Sequence, residues 1–262
     1  MKKLLVIALV LVAMLSIGSM LAFSIFNGKN LKGSGKLVTH TMATPDFSEI
    51  DASRAVKVII TQATDKITIT ADDNLIDLVV VKVDGDELQI GMDKSVQNIS
   101  NSDVTVYVPA NGHIRSLDAS SASQISSAVL LSAPEFSMSA SSAAKIKAAV
   151  KSTKCEIDAS SAAKIEAAVK ADVCEIEASS ASKIELSGTI ATATADLSSA
   201  SKLNAEKCVV DTWQVDTSSA AKATIHCTKT LNADASSGSA IFYTGSCQTS
   251  ISKSSGGNVS RD

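Results

Sequence analysis

Aromatic residues make up only 3 % of the 262-residue chain, Trp213 is the single tryptophan, and there are only three prolines. A globular core built on large rings is therefore excluded, and small and β-branched residues must do the packing. With 12 glycines besides, the chain is no low-complexity tail, despite its serine and alanine bias. No long basic run is present and the formal net charge is −3, which argues against a nucleic-acid partner. Histidine is confined to His40, His113 and His226. A serine nucleophile needs a base and an orienting group, so this scarcity weighs against catalysis. Short-spaced thiolate and imidazole ligands for zinc are missing, as is a glycine-rich phosphate loop. No cofactor is expected.

What the chain has instead is a period. Eight Ser-Ser doublets fall on a common period, beginning at Ser120, Ser141, Ser160, Ser179, Ser198, Ser218, Ser236 and Ser254, at intervals of 21, 19, 19, 19, 20, 18 and 18 residues. That repeat is too short for a free-standing domain and too regular for chance. It marks a solenoid whose coils stack and share one core.

The columns follow from aligning the doublets. Five residues before the first serine stand Arg115, Phe136, Cys155, Cys174, Ala193, Trp213, Leu231 and Thr249. Three before it stand Leu117, Met138, Ile157, Ile176, Ala195, Val215, Ala233 and Ile251; one before it are mostly small residues, with Lys253 last. Polar residues alternate with these, which defines a strand with one face inward. A second strand follows the doublet, with Ile125, Ile146, Ile165, Ile184, Leu203, Ala223, Ile241 and Val259 as its inward column. The Ser-Ser-Ala element between the strands is expected to be a sharp corner. Val129, Val150, Val169, Cys208 and Cys227 mark a less regular third side, and the first and last coils are the least regular. The hexapeptide rule of left-handed β-helices is absent. The expected fold class is all-β, a right-handed parallel β-helix of about eight short coils, roughly 35–40 Å long at about 4.8 Å per layer.

Four segments divide the chain. Residues 1–27 read as a signal peptide or membrane anchor: Lys2 and Lys3 precede the uncharged residues 4–26, which would form one apolar helix. The two lysines would stay inside and the body would be exported, to the cell envelope, the periplasm or the surface. Residues 28–36 read as a flexible linker. Residues 37–116 carry short strand patterns, with Asp84-Gly85 a hairpin turn signal, and should pack on or continue the solenoid. Residues 117–262 are the β-helix repeats.

Three surface or core features are candidates for function. Lys145, Lys164, Lys183, Lys202 and Lys222 form an outward column that either docks an anionic glycan or protein strip or is a solvated face. An acidic column at Asp118, Asp158, Glu177, Asp196, Asp216 and Asp234 offers one carboxylate per layer. A calcium site asks for six to eight oxygens from a loop, so solvated surface is the simpler reading of that column. The five cysteines cannot all pair within one chain. Cys155 and Cys174 share an inward column and Cys208, Cys227 and Cys247 the third side, where disulfides and plain core packing are both open.

Several motifs, in order, resemble one family. Phe47-Ser-Glu-Ile50 is followed by Val56-Lys-Val58-Ile-Ile60, the hairpin around Asp84-Gly85, Val104-Thr-Val106-Tyr-Val108-Pro109 and the Asp-Ala-Ser-Ser-Ala-Ala-Lys-Ile blocks. From about residue 37 to 262 the chain is similar to putative auto-transporter adhesins with a head GIN domain, common in Bacteroidetes envelopes. The resemblance implies a β-helix, an adhesin-like role and no catalytic residues. The expected function is a non-catalytic envelope rod binding a glycan or protein. The rivals are a carbohydrate-active β-helix enzyme, which needs carboxylates converging in a groove, and a self-assembling structural subunit.

Overall fold

Strict apolar–polar alternation obliges each strand to bury one face, and the serine repeat sets where each strand must turn. The computed structural model describes residues 29–262, where the chain is all-β apart from a single 3-10 turn, Ile76–Leu78. The strands wind as the parallel β-helix that the repeats predict, within one continuous 19-stranded hydrogen-bonded system. Ile146 pairs with Ile165 and Ile165 with Ile184 in direct parallel register, and all three are buried. Burying each such side chain contributes on the order of 2–3 kcal/mol. Four coils are each a single long strand: Lys164–Ala178, Lys183–Leu197, Lys202–Thr217 and Lys222–Ala235. The third side is thus a bend within a strand. In the preceding coil it is a break, with Ser152 and Thr153 separating Lys145–Lys151 from Lys154–Ala159.

Each corner consists of two consecutive residues in the left-handed region. Ser161 and Ala162 have φ of 50° and 62°, Ser180 and Ala181 of 52° and 61°. Such backbone costs an L-residue about 1–2 kcal/mol. Stacking holds it in place: the Ala162 N–H donates to the Ser180 carbonyl and the Ala181 N–H to the Ser199 carbonyl, both at 2.9 Å. Glycine takes the alanine's place at Gly238 and Gly256, with φ of 72° and 80°. Three residues after the doublet's first serine the chain turns inward again. Where that residue is serine, its hydroxyl donates back to a corner carbonyl, Ser182 Oγ to Ala159 and Ser201 Oγ to Ala178, each at 2.9 Å.

One corner lacks the doublet. Arg54 and Ala55 both have φ of 60°, and the Ala55 N–H donates to the Ser121 carbonyl at 2.9 Å. Strands Glu49–Ala52 and Lys57–Thr61 accordingly pair in parallel with Ser116–Ala119 and Gln124–Ser132. Glu87–Met92 and Val104–Pro109 pair in parallel with this coil in turn, and the stack is then closed by antiparallel pairings, Lys66–Asp72 against Val104–Pro109 and Val79–Asp84 against Glu87–Met92. The latter is the hairpin expected at Asp84-Gly85, and Gly85 has φ of 63°.

Several expectations are corrected. Arg115 does not point inward: it is exposed, with its guanidinium 2.8 Å from Glu49 and 3.3 Å from Asp86. A cation in that column would lack a counter-charge in the core. Thr249, Ile251 and Lys253 are exposed: among the described residues their strand has a coil stacked on one side only, that of Lys222–Ala235. On the third side Leu131, and not Val129, is the register partner of Val150. Bulges move Cys208 and Cys227 out of one column, so that Cys208 pairs with Gly188 and Cys227 with Val210. Within 28–36, read from its glycines as a linker, Lys29–Lys32 forms a strand beside Val96–Ser100. The apolar helix expected over residues 4–26 lies outside the described residues. Among the described residues no helix is long and apolar enough to cross a membrane.

Candidate functional site

Two ladders of charge flank the serine corner. On the strand after it, Lys145, Lys164, Lys183, Lys202 and Lys222 are successive register partners, as their spacing predicts. On the strand before it, Asp158, Glu177, Asp196, Asp216 and Asp234 are successive register partners in the same way. Adjacent rungs stand one strand spacing apart, about 4.8 Å. Like charges at that separation repel by about 1 kcal/mol in water.

The lysine ladder is relieved from within the sheet, but only at its middle. Lys164 Nζ lies 2.6 Å from Glu166 and 3.4 Å from Glu185 in the next coil. Lys183 pairs with Glu185, and Lys147 Nζ lies 3.3 Å from Glu166. Hydrogen bonds from Lys164 and Lys183 hold the Glu166 and Glu185 carboxyls below the usual carboxylate range, and Glu166 raises the Lys164 ammonium in return. Lys222 is placed differently, with its ammonium 4.5 Å from the centre of the Phe242 ring. Lys145 and Lys202 have no ion-pair partner among the described residues.

The acidic ladder has no such relief. None of its five exposed carboxylates has an ion-pair partner among the described residues, and only Asp216 accepts a side-chain hydrogen bond, from Gln214 at 3.4 Å. Among the described residues no group of three or more histidine, cysteine or acidic side chains is placed to hold a metal ion. Asp118 stands apart from this run, separated from Asp158 by Ser139, and burial raises its carboxyl.

Carboxylates also gather with cations elsewhere. A groove of about 360 Å³ is lined by Glu49, Arg115, Glu135, Lys154 and Glu156. There Lys154 lies 2.7 Å from Glu156 and 3.0 Å from Glu175, and those hydrogen bonds hold its ammonium well above the ordinary lysine range. A lysine so held is no general base at neutral pH. His226 Nδ1 lies 2.9 Å from Thr244 Oγ1, and among the described residues it has no hydrogen bond with a serine of the doublets. A second groove, of about 670 Å³, follows the bend of the third side past Ser132, Lys151, Thr153, Lys170 and Asp172. The sequence reading missed it because bends carry no periodic signal; the Lys151–Lys170 register is the one cue it offered.

The five cysteines are free thiols. Cys155 and Cys174 are register partners and wholly buried, as their shared column predicts.

The fold recurs in solved structures. A putative adhesin from Parabacteroides merdae is 21 % identical with a TM-score of 0.80, over 89 % of this chain and 99 % of that one. A putative adhesin from Parabacteroides distasonis is 18 % identical with a TM-score of 0.79, and a putative lipid binding protein from the same species is 18 % identical with a TM-score of 0.80. Each covers 89 % of this chain and 100 % of its own. No curated protein matches the sequence. The family model described as "Putative auto-transporter adhesin, head GIN domain" matches residues 46–247.

Proposed function

Because the chain belongs to the family of putative auto-transporter adhesins with a head GIN domain, we propose that it is a non-catalytic, adhesin-like protein of the cell envelope. It holds an extended anionic partner, a glycan or a strip of another protein, along its lysine-bearing sheet. One observation carries this reading: Lys145, Lys164, Lys183, Lys202 and Lys222 stand in one unbroken register. A polymer of repeating charge can meet such a ladder at several rungs, so that weak contacts add through effective concentration. Electrostatic complementarity of this kind contributes encounter rate and selectivity more than raw affinity. The glutamates between the rungs favour spaced anionic groups over continuous negative charge.

The enzymatic reading finds less support. The carboxylates beside the ladder are held ionised by lysine and the lysine of the acidic groove is held protonated, so neither supplies a proton donor and base pair near pH 7.

The test is binding of the full chain to a panel of anionic and neutral envelope glycans and envelope proteins. The comparison is a variant with Lys145, Lys164, Lys183 and Lys202 changed to serine. Retention that weakens at least tenfold in the variant, and falls with salt, supports the reading. Retention unchanged by the four substitutions overturns the lysine face as the contact.

A further inference from the structure

The two ladders are matched to each other. In the coil of Ser160 the acidic rung is Asp158 and the lysine rung Lys164; the next three coils carry Glu177 and Lys183, Asp196 and Lys202, Asp216 and Lys222. Both ladders have the same pitch because the same coils set both, and they lie on the two sides of one corner. The ridge between them is made of exposed small residues, Ser161-Ala162, Ser180-Ala181, Ser199-Ala200 and Ser219-Ala220. Two ridges of that kind can approach closely. Among the described residues the carboxylates lack cationic partners, whereas Lys202 lacks an anionic one.

We propose that two copies of the chain pack corner to corner with their coil axes parallel, the acidic ladder of each facing the lysine ladder of the other. Symmetry selects this arrangement. A two-fold axis parallel to the coils exchanges left and right of the corner while leaving height unchanged. Asp158 then meets Lys164 of the second copy, Glu177 meets Lys183, Asp196 meets Lys202 and Asp216 meets Lys222. A two-fold perpendicular to the coils would instead set acid against acid. The parallel contact is isologous and closes at two copies. At the ends the match runs out, since Ser139 stands level with Lys145 and Ala240 level with Asp234. The inference names a partner for the lysine face and so rests on that face being a contact surface. A glycan would compete with the second copy for the same rungs.

Sedimentation velocity of the full chain in a nonionic detergent, from 10 to 500 µM protein, tests it. At 50 mM salt the native chain should run at twice its monomer mass, and at 500 mM salt the dissociation constant should rise at least about tenfold. Lys183→Glu with Lys202→Glu makes both ladders acidic, and Glu177→Lys with Asp196→Lys makes both basic. Each double variant should be monomeric at 50 mM salt, and an equimolar mixture of the two should restore the dimer. Circular dichroism and melting temperatures like those of the native chain verify folding; the salt dependence of the native chain needs no variant. A native chain that stays monomeric overturns the dimer while leaving glycan binding to be judged by its own assay. Self-association of either double variant equal to the native, or folded variants that fail to pair when mixed, overturns it as well. A native chain that dimerises but retains no member of the panel would instead remove the function proposed above.

Discussion

Ala193 and Trp213 are register partners in adjacent coils, so the smallest side chain of their column packs where the largest must fit. Both are fully buried, and the indole Nε1 donates to the His226 carbonyl at 3.1 Å. Ala193→Leu should overpack this site and lower stability by about 1–3 kcal/mol. Trp213→Ala should cost about 3–5 kcal/mol through the cavity it leaves. Urea unfolding measures both, followed by circular dichroism. In Ala193→Leu the lone tryptophan's emission should also shift to the red if the indole is displaced.

Buried serines in this fold fall into two classes, and they should respond to alanine with opposite signs. Ser152 Oγ is buried without a hydrogen-bond partner. An orphaned hydroxyl of that kind costs about 1–3 kcal/mol, so Ser152→Ala should raise stability by about 1 kcal/mol or more. Ser182 Oγ, by contrast, donates to the Ala159 carbonyl at 2.9 Å. Ser182→Ala should lose about 0.5–1.5 kcal/mol. Paired denaturant titrations decide the matter. A loss in Ser152→Ala equal to that in Ser182→Ala would contradict the distinction.

The left-handed corners make a third prediction. At Ala181, with φ of 61°, glycine removes the Cβ crowding but adds freedom to the unfolded chain. Those terms nearly cancel, so Ala181→Gly should change stability by no more than about 0.5 kcal/mol. Valine there is β-branched and poorly tolerated at positive φ, and Ala181→Val should cost about 2 kcal/mol or more. Thermal melts of the two variants give the comparison. Equal effects would mean that the corner is not held left-handed.

What the sequence disclosed was whatever repeats. Ile146, Ile165 and Ile184 announce their stacking through identical spacing, and so do the rungs of both ladders. The corner before Ser120 escaped notice because Arg54 stands where the other coils have their second serine, although the backbone is the same. Arg115 was misplaced inward because spacing alone cannot weigh the cost of an unpaired buried cation; its partners Glu49 and Asp86 come from other strands. The bulges that separate Cys208 from Cys227 leave no trace in a column count. The pairing of Lys164 with Glu185 is a contact between coils, visible in sequence only once the register is assumed.

The thiols tie burial to pH. Burial pushes the Cys208 thiol up to about 11, and burial followed by a hydrogen bond with Cys247 pushes Cys227 up to about 12. Unfolding returns both toward the ordinary value near 8.5, so above that pH the unfolded chain binds fewer protons than the folded one. The stability linked to these thiols is therefore fully present below about pH 8.5 and is lost as pH rises toward 11–12. Each contributes a slope of up to about 1.4 kcal/mol per pH unit in that window. Urea midpoints at pH 7.5 and 10 should fall steeply for the native chain and less so for Cys208→Ala with Cys227→Ala, whatever the baseline cost of the two cavities. Equal slopes would mean that the thiols do not carry the effect. Cys247, the only one of the five not fully buried, should be the sole thiol to react with a disulfide reagent before the fold opens.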